Sequence, residues 1–115
     1  MKRLTVPLFG FPLLMSNDEA EVRDYITKTA LDPGLARVCD DAEGVTVCYR
    51  DKRDEAQRIM GVFDGQVGTV AHEAVHVAWD VLSRANVPVT EDNNEAQAFL
   101  VDWLVTTYLR LFKAV

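Results

Sequence analysis

His72, Glu73 and His76 lie in the stretch TVAHEAVHVAWDVL and form the pattern His-Glu-x-x-His. Residues four apart on a helix sit about 40° apart around its axis and one turn above each other, so two imidazoles at this spacing can face one ion. The residue that follows the first histidine lies about 100° further round, beside that ion. A carboxylate there is placed as a general base, close enough to take a proton from a water whose acidity a zinc ion has raised. Both histidines of the chain fall inside the motif. The same pattern also arises by chance in unrelated helices, where Glu73 would be no more than a solvated charge.

Two histidines do not complete a catalytic zinc site, which uses three protein ligands and keeps one position for water. The extended metzincin pattern would put Gly at 79 and His at 82, but these are Trp79 and Leu82. The last helix opens with DNNEAQAFLVDWLV, which places Glu95 in its first turn as the candidate third ligand. Asp92 and Glu95 also have the spacing of a capping box, which is the competing reading of Glu95. Asp80, one turn beyond His76, and Asp102, two turns beyond Glu95, are candidates to orient a ligand histidine from behind, or else surface carboxylates.

Two histidines on one helix, followed by Asn94-Glu95-Ala96 opening the next, resemble the gluzincin metallopeptidases. The resemblance implies one Zn2+ held by His72, His76 and Glu95, with Glu73 as the base that serves peptide-bond hydrolysis. The wider layout is similar to the minimal zincin core. The run from PLFGF through GVFDG to the paired helices resembles small phage-encoded zincin-like proteins. Gluzincin peptidases usually add a Tyr or His that polarises the oxyanion, and here Tyr108, Tyr49 and Arg50 are the candidates. The alternative is a metal-stabilised, non-catalytic protein that binds a host partner.

The elements that must position these residues follow from local pattern. PLFGFPL at 7–13 reads as one kinked edge strand, or two short ones around Gly10. Ser16 with Glu19 suggests a capping box, and Val22, Tyr25, Ile26 and Thr29 continue at helical spacing until Asp32-Pro33-Gly34. An irregular acidic stretch from Leu35 to Gly44 leads to GVTVCYR, rich in β-branched and aromatic residues, and RIMGVFD pairs with it as a second strand. Residues 61–64 would then neighbour the edge along which a peptide lies. Val67, Val70, Ala71, Ala74, Val75, Ala78 and Leu82 mark the histidine helix, closed by Asn86. A last helix spans about 92–113, and Trp79, Phe99 and Trp103 are expected between the helices. The expected fold class is α+β: a small, mostly antiparallel sheet with an N-terminal helix, an active-site helix and a C-terminal helix packed against it.

A chain of 115 residues is expected to form a single domain, 1–115, with its site open or built at one edge. A net charge of −6, without clustered Lys and Arg, argues against nucleic acid and favours a peptide or protein substrate or partner. Cys39 and Cys48 do not make a disulfide framework and read as reduced. The apolar start MKRLTVPLFGFPLLM is interrupted by Pro7, Gly10 and Pro12, so it reads as strand rather than leader or membrane anchor, with the cytoplasm as the expected compartment.

Overall fold

Alternation along the central strands decides the layering. The computed structural model describes residues 1–115, and β3 (Gly44–Arg50) and β4 (Ala56–Val62) are the two strands expected from GVTVCYR and RIMGVFD. Successive side chains of a strand point to opposite faces. Met60 and Val62 therefore join one buried cluster with Val70, Ala74 and Val77, whereas Ile59, Val45 and Val47 join another with Val22 and Ile26. Helices α2 (Val67–Arg84) and α3 (Glu95–Leu111) cover the first face; α1 (Glu19–Thr29) and a short 3-10 helix, Pro33–Cys39, cover the second. The fold is α+β.

β1 (Lys2–Thr5) and β2 (Pro12–Ser16) complete a four-stranded sheet in the order β1-β2-β4-β3. β1/β2 and β3/β4 are antiparallel, and β2/β4 is parallel. The PLFGFPL segment is mostly the turn of the first hairpin rather than a strand. Leu8 and Gly10 both have φ of 71°, and Val6 and Phe11 close the loop with a 2.8 Å backbone hydrogen bond. Parallel pairing with β2 also puts β4 in the interior, so residues 61–64 flank the edge strand without being the edge: Gly61 and Val62 pair with Val45 and Gly44 of β3. The edge beside α2 belongs to β3.

Local chemistry sets the helix ends. Asp18, not Ser16, caps α1: its carboxylate accepts from the amides of Ala20 and Glu21, and Ser16 Oγ in turn accepts from the Asp18 amide. At the start of α2, Asp64 accepts from the Gln66 amide at 3.0 Å and from Thr69 Oγ1 at 2.6 Å. Asn86 ends α2 in the left-handed region with φ of 57°, which Asn tolerates, and the Val87 amide returns to the Leu82 carbonyl. α3 then runs back along α2, burying Leu100, Leu104 and Tyr108, and the amide of Val67 meets the carbonyl of Val115. No helix is long and apolar enough to cross a membrane.

The aromatic expectation fails in part. Trp79 is 56% exposed and Phe99 45%, while Trp103 is half-buried at the core margin. The buried face of α2 is made instead of Val70, Ala74, Val77, Ala78 and Val81, small side chains that let helix and sheet approach closely.

That approach is closest at Gly44. A Cβ there would stand 2.7 Å from Thr69 Cγ2, 3.0 Å from Glu73 Cγ and 3.0 Å from the Gly61 carbonyl oxygen. Gly44→Ala must therefore displace the Thr69 and Glu73 side chains that pack on the sheet edge, with an expected loss of about 1–3 kcal/mol. A urea midpoint equal to wild type would show that the contact is looser than described.

Candidate metal centre

Helix α2 delivers the motif as one turn of helix lying along the sheet edge. His72 and His76 are exposed, and their Nε2 atoms are 3.3 Å apart, the rings meeting edge to face at 70°. Two nitrogens each about 2.0–2.1 Å from a tetrahedral zinc ion lie roughly 3.3–3.4 Å from one another, so the pair already has the bite of a zinc chelate. At the same separation one ring can donate a hydrogen bond to the other, and a bound cation would replace that shared proton.

Glu73 faces the other way, into the seam between α2 and β3. It is 6% exposed, its Oε1 accepts from Thr46 Oγ1 at 2.8 Å, and its carbonyl oxygen accepts from the same hydroxyl at 3.2 Å. Oε2 remains on the side of the histidines, 3.9 Å from His72 Nε2. Two open clefts, of about 660 and 530 Å³, meet along this seam and share Gly44, His72 and Glu73. The carboxylate is thus anchored at one oxygen and presented at the other. Thr46 was not singled out in the sequence, although its polar side chain at an alternate position of GVTVCYR, facing α2, was the available signal.

Glu95 is not brought to the histidines. No group of three His, Cys, Asp or Glu side chains is arranged so that it could hold an ion. Antiparallel packing explains why: His76 lies eight residues before the end of α2 at Arg84, about 12 Å of helix, whereas Glu95 is the first residue of α3. Glu95 is exposed at the far end of the helix pair. It is not part of a capping box with Asp92 either, since the N-cap of α3 is Asn94, which makes no side-chain cap bond.

The supporting roles also fall differently. Asp80 does not meet His76; its Oδ2 accepts from Arg58 Nε at 2.8 Å, Arg58 Nη2 at 2.5 Å and Cys48 Sγ at 3.2 Å. Arg58 is 8% exposed and stacks over Phe11 at 5.2 Å, so Asp80 is the counter-ion of a buried arginine that ties α2 to β3 and β4. Asp102 points outward and accepts from Thr106. Tyr108 is fully buried, with its hydroxyl 3.5 Å from the Val62 carbonyl, and lines neither cleft. Tyr49 bonds Thr29 on the opposite sheet face, and Arg50 pairs with Asp54. None of the three candidates faces the histidines as an oxyanion donor.

Cys39 and Cys48 are free thiols. Burial first, and then the Asp80 carboxylate, push the Cys48 thiol up to about 11, so it serves as a hydrogen-bond donor rather than a nucleophile.

Burial alone would raise the Asp80 carboxyl, but hydrogen bonds from Arg58 and Cys48 and the charges of Arg58 and Arg84 outweigh it and hold the group below the usual carboxylate value. A depressed folded-state value gives stability that is present above the unfolded value, about 3.9, and is lost as pH falls through the lower folded value. Asp80→Asn should cost about 2 kcal/mol at pH 7 by leaving Arg58 buried without its counter-charge, and should flatten the acid limb of the melting curve. Melting temperatures recorded between pH 7 and pH 2 check both, and an unchanged acid limb would remove Asp80 from the account. Comparison of the chain with protein-family models found no match, and neither did comparison with curated proteins or with solved structures.

Proposed function

We propose that this chain is a zinc-dependent hydrolase of peptide bonds in which His72 and His76 are two of the ion's ligands and Glu73 is the general base. One observation carries the reading: two Nε2 atoms at 3.3 Å, the bite of a tetrahedral chelate, beside a buried carboxylate whose second oxygen lies 3.9 Å from one of them. A bound zinc would supply acidity to water and polarise a carbonyl. The chain's own part is to fix Glu73 through Thr46, to seat the substrate in the clefts on either side, and to offer the unpaired side of β3 to an extended peptide. The cytoplasm, of a host cell if the chain is phage-encoded, is the proposed setting, in keeping with two free thiols.

A second reading, a metal-stabilised protein that binds a partner and cleaves nothing, is favoured by the lack of an oxyanion donor, since Tyr49, Arg50 and Tyr108 are all engaged elsewhere. Glu73→Gln separates the two. The variant should keep its zinc and lose peptide cleavage by at least about 100-fold, as expected for removal of a general base. A zinc-loaded wild type that cleaves no member of a peptide library would leave the second reading. Metal content tests the ligands: His76→Ala should lose zinc and Glu95→Gln should retain it, and zinc retained by His76→Ala would overturn the assignment.

A further inference from the structure

We propose that a second copy of this chain completes the metal site: His72 and His76 of two copies, related by a two-fold axis through the ion, hold one zinc with four ring nitrogens. The inference rests on the metal-binding part of the reading above and not on hydrolysis. Each chain offers two nitrogens with a tetrahedral bite and no third ligand, while a closed zinc site takes four. Two identical half-sites on a two-fold axis supply that number without any new residue.

The surface around the pair fits such a contact. His72, His76 and Trp79 follow one another at i, i+4 and i+7, so they lie on one stripe of α2, and all three are exposed. His72 keeps 68% of its side chain open and Trp79 56% of its surface. A large aromatic left open one turn from a metal pair has packing surface to lose to a partner. Ser83 continues the stripe toward the end of α2 without a charge, so two α2 helices can cross there without like charges meeting along that part of it. Val38, 40% exposed across the cleft from the histidines, extends the apolar margin. Four nitrogens leave no position for water, so the shared ion is a closed form of the site, and any cleavage belongs to chains outside the dimer.

Zinc sulfate titrated into the metal-free chain, followed by calorimetry and by sedimentation velocity, tests this. The expected result is a monomer in chelator that becomes a dimer at half an equivalent of zinc and reverts with EDTA. His72→Ala should stay monomeric at all zinc concentrations. Trp79→Ala, an exposed substitution that leaves the core intact, should weaken zinc-dependent dimerisation by at least about tenfold. Saturation at one equivalent by a monomer would overturn the dimer and leave the single-chain metal reading standing, whereas no zinc binding at all would overturn both. Dimerisation that survives in His72→Ala would likewise exclude a shared ion.

Discussion

The close seating of helix α2 on strand β3 is the constraint on which the rest of the structure depends. Gly44 removes the side chain that would hold them apart, and two hydrogen-bonded groups then fasten the seam, Thr46 on Glu73 and the Cys48/Arg58 pair on Asp80. Glu73 and Asp80 are seven residues apart, so they project toward the sheet from nearly one side of the helix, about two turns from each other. With those carboxylates turned inward, the histidines are left on the adjoining outward face. The motif's chemistry and the helix's packing are therefore one arrangement: the base is held by the sheet edge, and the metal pair is free to meet what arrives from solvent.

The same arrangement explains why the metal pair lacks a third partner within its own chain. α3 occupies the face of α2 opposite the seam, and its inward side chains, Leu100, Leu104 and Tyr108, are consumed by the core. An acidic residue level with the histidines would have to lie about eight residues into α3. Asp102 is seven residues in, but it faces outward, whereas Glu95 has the right chemistry at the wrong height.

How much of this was legible in the sequence depended on range. The histidine pair, the strand at 44–50, the second strand, read as 58–64 and found at 56–62, and the end of α2 at Asn86 are set by spacing and residue type within a few positions, and the α+β class follows from them. What required three dimensions was missed. Nothing local says that β4 pairs in parallel with β2, which moved the free edge to β3. Arg58 in the middle of a strand was not singled out, because its partner Asp80 is 22 residues away on α2 and only the seating of that helix on the sheet brings the two together. Trp79 was assigned to the core on hydrophobicity alone, although its neighbours at 77, 78 and 81 already fill that face of the helix.

The central claim is that His72 and His76 act together through their Nε2 atoms. Long-range nitrogen–proton NMR of the two imidazoles during a zinc titration addresses it directly, because the metal-bound nitrogen and the protonated nitrogen of each ring are distinguished by shift. The account predicts that both rings become Nδ1–H tautomers bound through Nε2, at the same zinc concentration. Coordination through Nδ1, or one ring unchanged while the other binds, would contradict it.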